Sequence, residues 1–275
     1  MTIAQALAEA ARRGLARLDA QLLLLHALGR AQDDRAWLLA HDDDALDAKA
    51  LGSFTALCER RAAGEPVAYL VGNKEFFGLG LQVDARVLVP RPDTEVLVEW
   101  ALAVLEGRSS PSVVDLGTGS GAIALAIKHA RADAKVTAVD VSPGALDVAR
   151  ANAGRLQLDV RFIQGRWLAA VEGRFDLLAS NPPYVAEADE HLGALKHEPR
   201  MALASGPDGL DDIRAIVAQA PGHLAPGGWL LLEHGWDQAA AVRGLLSAAG
   251  FTSVASRRDL AGIERCSGGR WPERG

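Results

Sequence analysis

Asn181-Pro182-Pro183-Tyr184 is the stretch of this sequence best equipped for chemistry. It follows an apolar run over residues 175–180, which reads as a buried strand ending in a polar site. Each proline fixes its own φ and holds the residue before it in extended geometry. Neither has an N–H, so this backbone offers carbonyls and few donors. The side-chain oxygen of Asn181 and a neighbouring carbonyl suit the two hydrogens of one planar NH2 group, with Tyr184 over its flat face. The same four residues would also make a plain Pro-Pro turn that closes a strand.

Two further stretches bear on that choice. Val113-Val114-Asp115-Leu116 is a short apolar strand that runs into Gly117-Thr118-Gly119-Ser120-Gly121, then into an apolar helical pattern over residues 122–130. Glycines there allow a tight turn and close backbone approach to a ligand, and the helix start supplies free N–H groups. The spacing is G-x-G-x-G, not the G-x-G-x-x-G of dinucleotide binders; an ordinary turn is the other reading. A second strand, Lys135-Val136-Thr137-Ala138-Val139, ends in Asp140. That acid lies about 20 residues beyond the loop, where α/β nucleotide sites place a carboxylate on ribose hydroxyls. It would equally serve as an exposed strand end or helix cap, since Ser142-Pro143 starts a helix. All three stretches fall at the carboxyl ends of strands, where an open parallel sheet binds its ligands. Together they read as a methyltransferase that uses S-adenosylmethionine and acts on a planar nitrogen.

The elements that must position these residues divide the chain. Residues 1–73 read as a bundle of four or five helices, from Leu7, Leu15, Leu18, Leu22, Leu25 and Leu28 at helical spacings. Asp19 is placed to begin a helix there, and Gly14 and Gly29 to end helices. Residues 74–90 form a linker in which 76–83 suggest a hairpin with a glycine turn. Arg91, just after it, either faces the crevice or ties the hairpin to the second domain. Residues 91–275 alternate strand and helix, with further strands expected at 160–164, 229–233, 252–256 and 264–267. Such alternation means a mainly parallel sheet covered on both faces. The fold class is α/β: a Rossmann-like domain, a small N-terminal helical bundle and a connecting β-hairpin.

Composition bounds the possibilities. The 275 residues are 49% hydrophobic and 23% charged, an ordinary globular balance. A net charge of −6 argues against a protein that lives by gripping nucleic-acid phosphates. Cys58 and Cys266 suggest neither a disulfide framework nor a zinc site. His41-Asp42-Asp43-Asp44 reads as a solvated loop between helices, no metal is expected, and His234 is taken as structural. The amino-terminal residues lack a secretory pattern and no run is long enough to span a bilayer, so the expected compartment is the cytoplasm.

With these residues in view, nearly the whole chain resembles the peptide chain release factor glutamine N5-methyltransferases, known as PrmC or HemK. The resemblance is carried by Glu65-Pro66-Val67-Ala68-Tyr69-Leu70, Val89-Pro90-Arg91-Pro92-Asp93-Thr94-Glu95, Asp115-Leu116-Gly117-Thr118-Gly119-Ser120-Gly121, Asn181-Pro182-Pro183-Tyr184 and Leu231-Leu232-Glu233-His234-Gly235-Trp236. It implies S-adenosyl-L-methionine as cofactor and a sheet whose last strands include an antiparallel one. The implied substrate is the glutamine of the Gly-Gly-Gln tripeptide in bacterial class I release factors. By position, it places Gly117, Thr118, Gly119, Ser120, Gly121, Asp140, Trp167 and Asn181 at the cofactor. It places Asn181, Pro182, Pro183 and Tyr184 on the substrate glutamine. Because residues 1–73 form a separate helical domain next to one that reads as catalytically complete, they are expected to recognise the protein substrate. Asn181, Pro182 and Tyr184 would carry catalysis, by accepting the amide hydrogens and orienting the nitrogen; the motif contains no strong base. A monomer that takes no nucleic acid is expected.

One departure stands out. Family members usually carry an acid just before the tryptophan, where this chain has Arg166. A carboxylate there accepts a hydrogen bond from the adenine amino group, whereas arginine has only donors. Adenine stacking on Trp167 is expected to survive, with Arg166 turned to solvent. Two other readings stand beside the resemblance. One is methylation of an amino nitrogen of adenine or guanine in nucleic acid. The other is a non-catalytic cofactor-binding or adaptor protein, whose helical domain does the work.

Overall fold

Caps decide where several helices begin. In a computed structural model that describes residues 1–273, Thr2 and Gln5 form a reciprocal capping box at the first helix, α1 (Ile3–Arg12). It is followed by α2 (Arg17–Ala27), α3 (Arg35–Ala40), α4 (Ala48–Ala62) and α5 (Val67–Val71). Asp47 caps α4 with 2.7 Å to the Ala50 N–H. Asp19 does not begin α2. It lies inside the first turn, where an acid still favours the helix dipole. Gly14 and Gly29 follow the ends of α1 and α2 with positive φ. The five helices form one unit, Met1–Asn73, cored by Leu23, Leu24, Leu25, Leu38, Phe54 and the thiol of Cys58.

The second unit starts at Lys74. The hairpin of β1 (Asn73–Phe76) and β2 (Leu79–Gln82) turns at Phe77 and Gly78, both with positive φ. Then come α6 (Glu95–Val104), β3 (Ser112–Leu116), α7 (Ala122–Ala130), β4 (Lys135–Asp140), α8 (Pro143–Leu156), β5 (Arg161–Gln164) and β6 (Phe175–Ser180). The chain closes with α9 (Asp211–His223), β7 (Leu224–Glu233), α10 (Ala239–Ala248), β8 (Thr252–Arg258) and β9 (Glu264–Arg270).

Seven strands make one sheet in the order β5-β4-β3-β6-β7-β9-β8. The first five are parallel, and β9 runs antiparallel to both β7 and β8. Strands buried on both faces read as nearly continuous apolar runs. Val113, Leu177, Ala179 and Leu231 join a core with α6, α7 and the hairpin. Val114, Leu116, Leu178, Leu230 and Leu232 join a second core with α9 and α10. From β3 the chain steps outward through β4 to β5, then returns to place β6 on the other side of β3. That reversal opens a crevice beyond the carboxyl ends of β3 and β6. The register sets Leu116 level with both Val139 and Ser180. The residues just past these strand ends therefore meet at one edge.

Candidate functional site

The loop after β3 is shaped by its neighbours as much as by its glycines. The N–H groups of Gly117 and Thr118 both donate to the carbonyl of Val139, at 2.8 and 2.9 Å. Gly117, Gly119 and Gly121 all have positive φ. At Gly121 a side chain would be doubly barred, because a Cβ would come within 2.9 Å of Leu125 as well as needing φ +87. The buried Asp115 accepts from the Thr118 hydroxyl at 2.6 Å and from the Ala124 N–H at 3.1 Å. Its other oxygen has no hydrogen-bond partner. Burial pushes this carboxyl up to about 7, against the pull of those two donors. Asn152 on α8 fastens the loop from outside, donating to the Ser120 carbonyl while pairing with the backbone of Gln82.

Asp140 ends β4 and reaches the same loop. One of its oxygens accepts the Gly119 N–H at 2.9 Å, and the other the Ser142 N–H at 2.8 Å. Burial raises its carboxyl, and these N–H groups lower it. Ser142, not Asp140, caps α8 through its hydroxyl. The helix cap at this strand end thus falls to Ser142, while Asp140 is bonded to the loop and to the Ser142 N–H.

Trp167 has a positive φ of 52°, unusual for a side chain of this size. The bend lays its ring against Gly117, where an added Cβ would come within 3.2 Å of the indole. Its ring N–H donates to Asp212 at 3.2 Å, and the same carboxylate oxygen takes the Arg166 guanidinium at 3.2 Å. The other oxygen of Asp212 accepts from the Ser205 hydroxyl at 2.9 Å. Arg166 is 73% exposed, yet it is not simply adrift in solvent. An ion pair this open is worth about 0–1 kcal/mol. Arg166→Ala is therefore expected to change cofactor affinity by less than about fivefold, as read by calorimetry. A larger loss would give the guanidinium a direct part in binding.

Several of these groups line a single cavity of about 360 Å³. Its wall includes Gly117, Thr118, Gly119, Ser120, Asp140, Trp167, Asn181 and Pro183. Gly121, Pro182 and Tyr184 do not line it. Gly121 lies beneath the loop, Pro182 is buried, and Tyr184 turns its hydroxyl towards Glu233. Asn181 comes directly after the last residue of β6, and its Nδ2 sits 3.2 Å from the Thr94 hydroxyl. Arg91 lines the cavity and pairs at 2.5 Å with the buried Glu198, which also accepts the Val89 N–H. Glu198 thereby ties the segment after Tyr184 to the stretch that precedes α6. The hairpin is tied by other residues: Glu95 accepts the Phe77 N–H, and Asn152 pairs with Gln82. Of the ionisable residues on the wall, Arg86, Arg91, Arg166, Asp140 and Asp212, none is histidine or lysine.

Thr94, Glu198, Ser205 and Asp212 are members of this site to which sequence reasoning gives no role. Thr94 lies in view inside Arg-Pro-Asp-Thr-Glu. Asp212 has no signal beyond its place in an acidic first turn. His234 is buried, with one ring nitrogen 2.8 Å from the Ser267 hydroxyl and the other 2.9 Å from the Gly235 carbonyl. His41, Asp42, Asp43 and Asp44 lie in turns after α3. No group of three or more metal-ligating side chains is arranged to hold a metal among the described residues. Among the same residues, no helix is long and apolar enough to cross a membrane.

Comparison with known proteins agrees in both parts of the chain. The family described as Methyltransferase small domain matches residues 93–238, and that described as PrmC N-terminal domain matches residues 2–72. A Bordetella pertussis protein named release factor glutamine methyltransferase is 53% identical over 93% of this chain and 95% of its own. A Xylella fastidiosa protein of the same name is 53% identical, over 97% of this chain and 98% of its own. Among solved structures, a methyltransferase from Pyrococcus furiosus superposes with a TM-score of 0.54 at 23% identity. It covers 80% of this chain and 98% of that one, and is a likeness of fold.

Proposed function

The chain belongs to the release factor glutamine methyltransferases, and from that membership we infer what its cavity does. It transfers the methyl group of S-adenosylmethionine to the side-chain amide nitrogen, N5, of a release-factor glutamine. We take that glutamine to be the one in the Gly-Gly-Gln motif of bacterial class I factors. The chemistry rests on one observation: the carboxamide of Asn181 stands in the wall of a cavity that also holds the glycine loop, which leaves the end of the adjacent parallel strand.

The residues present fit the cofactor. The loop leaves room where side chains would intrude, Asp140 stands at the neighbouring strand end, and an indole forms part of the wall. We assign Gly117 to Gly121 to the cofactor's backbone cradle, Asp140 to its ribose hydroxyls and Trp167 to its adenine. Gly121 acts from beneath, by allowing the turn. When bound, S-adenosylmethionine supplies an electrophilic methyl group on its sulfonium.

The chain's own residues must solve a different difficulty. A glutamine amide nitrogen is a poor nucleophile, because its lone pair is shared with the carbonyl. Asn181 Oδ1 would accept one of its hydrogens, and the other is assigned to the Pro182 carbonyl although that residue lies outside the cavity wall; the two would aim the nitrogen. Orientation of this kind supplies roughly 7–11 kcal/mol in favourable cases. The same acceptors stabilise positive charge as it grows on nitrogen. We assign recognition of the protein to residues 1–73, work as a monomer, and a setting in the cytoplasm where release factors act. The nucleic-acid alternative is not favoured by the relatives' names, and the net charge of −6 also weighs against it.

The test offers release factor, DNA and RNA separately, with cofactor carrying a radiolabelled methyl group. Label on release factor is expected, and mass spectrometry should place 14 Da on the Gly-Gly-Gln glutamine (one CH2 added, about 14 Da). Label found only on nucleic acid, or on another residue, would overturn the substrate.

A further inference from the structure

Adenine carries an exocyclic NH2 group, which donates hydrogen bonds. A wall that reads this base needs an acceptor beside the ring on which the base stacks. Arg166 precedes the Trp167 indole in the chain and has only donors. Among the described residues the acids on the cavity wall are Asp140 and Asp212. Asp140 ends β4 and is assigned above to the ribose. Asp212 lies in the first turn of α9 and is bonded to the indole itself.

The Asp212 carboxyl is held from three sides. Oδ1 accepts the Trp167 ring N–H and the Arg166 guanidinium, each at 3.2 Å. Both of those groups are donors and nothing else, so Oδ1 is fixed as an acceptor. Oδ2 accepts the Ser205 hydroxyl at 2.9 Å, and the Asp212 N–H returns to Ser205 Oγ at 2.9 Å. The side chain is only 13% exposed, and it lines the cavity. A carboxylate offers about four lone-pair sites. Oδ1 has spent two and Oδ2 one, so the site that remains is on Oδ2.

We infer that Asp212 selects the base of the cofactor: its Oδ2 accepts a hydrogen of the adenine amino group, while Trp167 and Arg166 hold the carboxylate by Oδ1. The inference rests on the assignment of Trp167 to adenine made above. It also gives Arg166 a use. The arginine does not supply an acceptor; it steadies one that α9 brings to it across 46 positions of the chain. Trp167 and Ser205 share that task, so loss of the guanidinium alone leaves the acceptor in place.

The test needs no methyl transfer. Calorimetry compares S-adenosylhomocysteine with S-inosylhomocysteine, in which a carbonyl oxygen replaces the NH2 group. In the wild type the inosyl compound sets oxygen against Oδ2. It is expected to bind about 10- to 100-fold more weakly, as the loss of a hydrogen bond to a charged group implies. Asp212→Ala should bring the two affinities within about threefold of each other. Asp212→Asn is the sharper variant. The Trp167 and Arg166 donors claim its one oxygen, so Nδ2 takes the place of Oδ2 and presents N–H to the base. The preference for the adenosyl compound should then shrink or reverse. A purely structural role would lower both affinities alike and leave their ratio unchanged. Equal affinities in the wild type, or a wild-type ratio in folded Asp212→Asn, would overturn the inference and leave the cofactor site standing. If Asp212→Ala does not fold, the wild type and the asparagine variant decide. Wild-type protein that binds neither compound would overturn the cofactor site and the inference with it.

Discussion

Asn181→Ala is expected to lower the rate of methyl transfer by on the order of 10³-fold, while cofactor affinity falls less than tenfold. The rate estimate comes from removing an acceptor that acts on the reacting group: loss of one such polar group costs about 10²–10³ in kcat. Loss of orientation adds to it. The fold should tolerate the change, because among the described residues this side chain's hydrogen bond is the one to Thr94. Single-turnover kinetics with saturating cofactor separate the chemical step from binding. Asn181→Asp sharpens the result. A carboxylate still accepts hydrogen bonds, so partial activity should survive if acceptor geometry dominates. A rate within tenfold of wild type in folded Asn181→Ala would remove the carboxamide from the mechanism.

Asp140→Ala is expected to weaken S-adenosylmethionine binding by on the order of 100-fold. Hydrogen bonds to a charged group are worth about 1.5–3 kcal/mol, and each 1.4 kcal/mol is a factor of ten. The structure gives this residue more to lose than a ribose contact. Its two oxygens hold the Gly119 and Ser142 N–H groups, so the carboxylate also keeps the glycine loop in shape before any ligand arrives. Asp140→Asn retains one acceptor but turns a donor towards the other N–H, and should fall between alanine and wild type. Calorimetry on folded protein decides: unchanged affinity in Asp140→Ala would take the residue out of the site.

The parts of this molecule that announce themselves in sequence are those whose cause is local. The glycine loop, Asp140 and Asn181 each sit where an apolar run stops, and a run that stops is visible in sequence. So is the start of α8, since Ser142-Pro143 is a cap followed by a residue that suits a first turn. Other parts depend on meetings that no window of sequence contains. Glu198 finds Arg91 across 107 positions, and Trp167 finds Asp212 across 45. Asp212 explains how Arg166 is accommodated, and nothing beside Arg166 in the chain points to it. Glu233 reads as the end of a strand. That it is sealed in the interior with the Tyr184 hydroxyl turned towards it is something only packing reveals. Asp19 shows the opposite error: a residue type favoured at helix starts lies inside the first turn, because α2 begins without any side-chain cap at Ala16.

The sealed cysteines carry a consequence for how this protein meets oxidative stress. Cys58 is buried in the helical unit, and burial pushes its thiol up to about 11; Cys266 is buried on β9 and is raised as well. The thiolate is the form that attacks peroxides and disulfides, and neither residue supplies one at neutral pH. The sulfur an oxidant reaches first is therefore not a thiol but the thioether of Met201, which is exposed on the cavity wall and whose sulfoxide would put a polar group there.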